Sequence, residues 1–105
     1  MAWFYLVIAG SLEVAATTVF RYTDGLSRIA PTVAFLALGL ASFYFLNRSL
    51  EGVPLGTAYA VWTGIGAAGT ALLGMIAFNE QATLVQIALI AGLIACIAGL
   101  KLVSY

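Results

Sequence analysis

Glu13 is the residue of this chain with the most chemistry to offer. It interrupts an otherwise uncharged stretch from Met1 to Phe20, so a helix built from that stretch carries a carboxylate near its middle. Inside a bilayer, a carboxylate at such depth costs roughly 2.5–3.5 kcal/mol by insertion scales. A chain that keeps one must turn it toward protein or toward a water-filled cavity. There it takes up a proton or an organic cation, but not both favourably at once. No Lys or Arg falls inside an apolar stretch to pair with it. An uncompensated buried acid is what a cation carrier needs. The plainer reading is a protonated Glu that donates a hydrogen bond between helices.

Three stripes at helical spacing offer neighbours for this acid. Gly10 and Thr17 share its face with Leu6, Ala9, Ala16 and Phe20, by the i±3, i±4 and i±7 rule. Gly39, Ser42, Phe43 and Leu46 form a second stripe, in which Ser42 is a hydrogen-bond donor for a carboxylate. Tyr59, Trp62, Thr63 and Gly66 form a third. Its two aromatics supply donors and π faces, and a cation over such a face gains about 0.5–2 kcal/mol. Singly, each aromatic reads as an interfacial anchor; one turn apart, they read as the wall of a site. Gly64, Gly66, Gly69 and Gly74 lie in the same segment, which makes Gly64 and Gly66 candidate hinges, although glycine is also ordinary packing in membrane helices.

The elements that must hold these residues follow from the charges. The chain has 105 residues, 64% hydrophobic and only 8% charged. A soluble domain carries about 25% charged residues, so eight charges cannot cover a water-soluble fold of this length. Ile29 to Asn47, Gly52 to Asn79 and Gln81 to Leu100 are uncharged runs of 19, 28 and 20 residues. A bilayer core of about 30 Å needs roughly 20 apolar residues per helix. The expectation is an all-α membrane protein, a single domain over 1–105, with transmembrane helices near 2–20, 31–49, 56–78 and 83–103. Arg21 to Gly25, Glu51 to Gly56 and Asn79 to Gln81 supply turns, and Pro31 suits a first helical turn. A signal peptide fits the first stretch poorly: it lacks a basic start and contains Glu13. Zero net charge argues against nucleic acid as a partner. A single Cys and no His exclude an internal disulfide and leave no zinc set, so no cofactor or metal is expected.

Four spans place both termini and the second connector on one side of the membrane. That side carries Arg48 and Lys101; the other carries Arg21 and Arg28. Orientation follows Lys and Arg in short loops, and two against two leaves it balanced. Insertion in both orientations, followed by pairing as an antiparallel dimer, is the expectation. Ala88, Gly92, Ala95 and Gly99 share one face of the fourth helix and form the expected dimer surface, since small residues let membrane helices approach closely.

At these residues the chain closely resembles the small multidrug resistance family. The resemblance spans essentially the whole length and rests on the acid at Glu13 and the stretch Gly56-Thr57-Ala58-Tyr59-Ala60-Val61-Trp62-Thr63-Gly64-Ile65-Gly66-Ala67. It implies an antiparallel dimer in the bacterial inner membrane that exchanges protons for cations. Glu13 would be the shared proton and substrate site, with Tyr59 and Trp62 lining the pocket and Ser42 hydrogen-bonded to Glu13. The subtype signals conflict. The third helix is similar to guanidinium exporters and to subunits of heterodimeric members. Guanidinium exporters typically carry a Trp where this chain has Ala16, whereas the quaternary-ammonium branch commonly has a Tyr where it has Gly39. Small residues at both positions predict a roomy pocket, and hence a proton-coupled antiporter for quaternary ammonium and other lipophilic cations. The alternatives are a guanidinium-selective exporter, one subunit of a heterodimeric pump, a lipid-handling subunit or a passive channel. No nucleophile–base pair points to an enzyme. The expected partners are protons, small organic cations, membrane lipid and a second chain, with a homodimer ahead of a heterodimer.

Overall fold

The computed structural model describes residues 1–103; Ser104 and Tyr105, the last positions of the expected domain, lie outside the described residues. Four helices follow one another: α1 (Ala2–Phe20), α2 (Ile29–Ser49), α3 (Leu55–Ala77) and α4 (Leu84–Val103). They contain 19, 21, 23 and 20 residues. At 1.5 Å per residue these are about 29–35 Å long, the depth of a bilayer core. All four are long and apolar enough to cross a membrane.

The helix ends have local causes. α2 begins at Ile29, two residues before the expected 31, with Arg28 extended at its N-cap. Pro31 then sits within the first turn, where its missing N–H costs little. The start of α4 is a capping box. The Gln86 backbone N–H donates to the Thr83 hydroxyl at 3.1 Å, and the Thr83 backbone N–H donates to Gln86 Oε1 at 2.9 Å. In the first connector Gly25 has φ of +70°, as expected of a turn glycine, but Asp24 (49°) and Leu26 (70°) share the left-handed region. Thr23, buried beneath them, accepts the Leu26 N–H at 3.2 Å and donates to the Phe20 carbonyl at 2.8 Å. Hydroxyls on α1 satisfy themselves against the preceding turn: Ser11 donates to the Val7 carbonyl and Thr18 to the Val14 carbonyl.

α1 lies between α2 and α3, and α4 lies alongside α3, with Lys101 reaching back over the Trp3 ring of α1 at 5.5 Å. The buried core of Leu6, Ala9, Leu46, Val53, Ala58, Val61 and Trp62 gathers where the start of α1 meets the end of α2 and the start of α3. From Tyr59 onward, the seam between α3 and the second half of α1 opens into a cleft instead. The molecule measures 42 × 35 × 17 Å, a slab rather than a ball. A helix with side chains is about 10–12 Å across, so this thickness encloses little. Leu36, Leu40, Leu89 and Ile94 are among the exposed apolar side chains that suit contact with lipid.

α4 contributes no buried residue. Its Ile97 and Leu93 pack over Gly64, where an added Cβ would stand 2.8 Å from Ile97 Cδ1. Ala88, Gly92, Ala95 and Gly99 lie on the far side of that contact, and nothing approaches a Cβ built at Gly92 or Gly99 within 4 Å.

Candidate functional site

Glu13 projects from the middle of α1 into the cleft between α1 and α3. The cleft holds about 730 Å³ and is lined at its centre by Glu13, Thr17, Tyr59, Trp62, Thr63 and Gly66. Gly66 makes the room: a Cβ there would lie 2.9 Å from Glu13 Cγ. Among the described residues, no basic side chain pairs with the Glu13 carboxylate. It is tied to no arginine and opens into a cleft whose lining is mostly apolar, with the Thr17, Thr63 and Tyr59 hydroxyl-bearing side chains among its walls.

The walls are held by specific contacts. Trp62 is 7% exposed, and its indole Nε1–H donates to Ser42 Oγ at 2.8 Å. Ser42 Oγ in turn donates to the Ala9 carbonyl at 2.7 Å. One chain of two bonds therefore ties α3 to α2 and α2 to α1, and fixes the ring that faces the cleft. Tyr59 stands beside it, ring centroids 5.6 Å apart, and is 56% exposed. Between Glu13 and the Arg21 end of the cleft, Thr17 Oγ1 and Thr70 Oγ1 are 2.7 Å apart. Thr17 Oγ1 is also 3.0 Å from the Glu13 and Val14 carbonyls, so when Thr17 donates to either of these, Thr70 is the donor between the two hydroxyls.

Several expected site residues lie elsewhere in this protomer. Ser42 is buried and bonded to Ala9 and Trp62, not to Glu13. Gly10 packs against Ile65 of α3, where a Cβ would meet Ile65 Cγ2 at 2.6 Å, so it serves the helix crossing rather than the cleft. Phe43 packs against Trp62 with the rings tilted by 37° and centroids 5.3 Å apart, without lining the cleft. Gly39 is also outside it. Ala16 is buried and points away from the cleft as well. The reason is angular: neighbours at i±3 and i±4 cover a sector about 120° wide at 3.6 residues per turn. Ala9 and Ala16 fall on one flank of Glu13; Gly10 and Thr17 fall on the other. Of these four only Thr17 lines the cleft. The roomy-pocket argument from positions 16 and 39 therefore finds no support in the protomer. Gly64 and Gly66 lie in an unbroken helix, and close contacts with Ile97 and Glu13 account for them without a bend.

The cleft also includes Thr18, Arg21, Ala67, Thr70, Ala71, Gly74, Phe78 and Glu80. Continuing the third stripe by fours from Gly66 reaches Thr70, Gly74 and Phe78, so this half of the wall was periodic in the sequence. Arg21 and Glu80, from two different connectors, carried no such signal.

An unpaired acid in a largely apolar cleft, walled by helices long and apolar enough to cross a membrane, is the arrangement of a multi-pass membrane transporter. Comparisons with known proteins agree. The profile of the Small Multidrug Resistance protein family matches residues 1–94. A guanidinium exporter of Yersinia pseudotuberculosis serotype I (strain IP32953) is 47% identical over 104 residues, 99% of this chain and 100% of its own. Guanidinium exporters of Escherichia coli (strain K12), 42% identical over 105 residues, and of Proteus vulgaris, 40% over 104 residues, also match along their full lengths. The chain belongs to the small multidrug resistance family. It is a small-molecule exporter of the bacterial inner membrane.

Proposed function

We propose that the chain exports guanidinium-class cations in exchange for protons, with Glu13 as the shared site. The observation that carries this reading is the Glu13 carboxylate, open to the cleft and without a basic partner among the described residues. The full-length relatives named guanidinium exporters favour this planar cation over the quaternary ammonium ions predicted from positions 16 and 39. Trp62 and Tyr59 supply π faces beside the acid, and Thr63 and Thr17 supply hydroxyls. A deprotonated Glu13 accepts hydrogen bonds from the cation; protonation removes that charge and releases the cargo. The 17 Å thickness leaves the cleft open-sided, which supports a second copy completing it. In the proposed antiparallel dimer, α4 supplies the contact through Ala88, Gly92, Ala95 and Gly99.

The test is uptake of labelled guanidinium into proteoliposomes of this chain alone, with an acidic interior driving exchange. Guanidinium is expected to accumulate and tetrapropylammonium to lag behind it. Glu13→Gln is expected to abolish gradient-driven uptake. Accumulation of tetrapropylammonium without guanidinium would overturn the substrate, and undiminished driven uptake by Glu13→Gln would overturn the carrier.

A further inference from the structure

The outer end of the cleft already holds a guanidinium group, supplied by the protein. Arg21 Cζ lies 4.2 Å from the centroid of the Phe78 ring, and Arg21 Nη1 lies 3.7 Å from Glu80 Oε2. All three residues line the same cleft as Glu13. A ring face below and a carboxylate beside are a complementary pair for a planar cation.

The backbone builds this cradle. α3 ends at Ala77, and the N–H groups of Phe78 and Glu80 both donate to the Gly74 carbonyl at 3.1 Å. Asn79 takes the left-handed conformation between them, φ 54°, and turns the chain back. The Glu80 carboxylate then lies over Gly74, and any Cβ at position 74 would collide with it. The carboxylate thus sits at the carbonyl end of a helix, where the partial charge is already negative and a cation is favoured. Arg21 holds the place weakly: both partners are about half exposed, at 51% and 56%, and ion pairs so exposed contribute little. Arg48 is held by the same means at the other end of the molecule, over the Tyr5 ring at 4.9 Å and 3.5 Å from Glu51, but outside this cleft.

We propose that Glu80 and Phe78 form a second binding site for the transported guanidinium, at the mouth of the cleft, which Arg21 occupies as a resident competitor until substrate displaces it. The identity of the ligand rests on the proposed function; the cradle itself does not. Substrate passing between the mouth and Glu13 exchanges one carboxylate-and-ring site for another along a single groove.

The experiment removes the inner site and looks for the outer one. Full-length Glu13→Gln in bicelles is titrated with guanidinium chloride, and the Phe78 ring and Glu80 side-chain resonances are followed by NMR. Saturable shifts are expected, absent when sodium chloride replaces guanidinium chloride at equal ionic strength. Glu80→Gln should abolish them. Arg21→Lys keeps the connector charge that governs insertion but lacks the planar group, and should tighten the apparent affinity about threefold. Shifts reproduced by sodium, persisting in Glu80→Gln, or indifferent to Arg21→Lys would overturn the site. If Glu13→Gln fails to fold, the same titrations on the otherwise native chain, reading Phe78 separately from the Trp62 indole, decide in the same way. Failure of the native chain to transport guanidinium, with the Phe78 shifts intact, would sink the proposed substrate and leave the cradle standing.

Discussion

Removing the Ser42 hydroxyl tests the geometry most sharply, because sequence and structure assign it different partners. Ser42→Ala deletes the acceptor of the Trp62 indole N–H, 2.8 Å away, and the donor to the Ala9 carbonyl at 2.7 Å. Ser42 is completely buried and Trp62 nearly so, so no water replaces the lost oxygen and the indole N–H is left unsatisfied. Such a group costs about 1–3 kcal/mol. The Ala9 carbonyl loses less, since it also accepts within α1. Removing both partners, as in Ser42→Ala with Trp62→Phe, erases the unsatisfied donor and should cost less than the sum of the single changes. The coupling should be on the order of 1 kcal/mol. The assay is reversible unfolding in mixed micelles, paired with the Trp62 indole N–H resonance in a Trp3→Phe background. Loss of stability with a displaced indole resonance is expected. Unchanged stability and an unmoved indole signal, with Glu13 titration altered instead, would refute the assignment and restore a Ser42–Glu13 bond.

Three further outcomes follow from the cleft. Cation binding should strengthen as pH rises through the Glu13 titration, because only the deprotonated carboxylate attracts it; below the midpoint the gain is about tenfold per pH unit for one displaced proton, and isothermal titration at several pH values would show a flat response if proton and cargo do not compete. Gly66→Ala places a methyl 2.9 Å from Glu13 Cγ and should weaken guanidinium transport on the order of tenfold through displacement of the carboxylate, with uptake kinetics as the readout and helix content unchanged by circular dichroism. Thr17→Val and Thr70→Val should each cost about 1 kcal/mol of stability, and the double variant little more than either, since both remove the one 2.7 Å bond; additive losses in a double-mutant cycle would show that the two hydroxyls act separately.

The helices were legible because membrane thickness is a ruler: three uncharged runs of 19, 28 and 20 residues left few places to cut. Glu13 was legible because its cost in lipid demands a use. The Tyr59 to Gly66 stripe was legible as periodicity and continues to Phe78. The partners of Ser42 were not, because helical spacing names a face without naming what that face meets, and Ala9 and Trp62 compete with Glu13 for the same hydroxyl. Ala16 and Gly39 misled for a related reason: a substitution pattern borrowed from relatives says nothing of which flank of the helix the neighbouring helix covers. The cleft mouth was beyond reach, because Arg21 and Glu80 come together only through the left-handed turn at Asn79.

α4 rests mainly on α3, with the bare backbone of Gly64 as the bearing surface under Ile97, and reaches α1 where Lys101 Nζ lies 5.5 Å from the Trp3 ring centroid. The molecule is therefore a three-helix machine carrying a detachable handle. In the proposed dimer, changes along the outer side of that handle would alter which chains it grips without disturbing the acid or its aromatic wall. Assembly preference and cargo preference can drift independently in such a chain, and a graft of the last helix from a relative should swap the first while leaving the second in place.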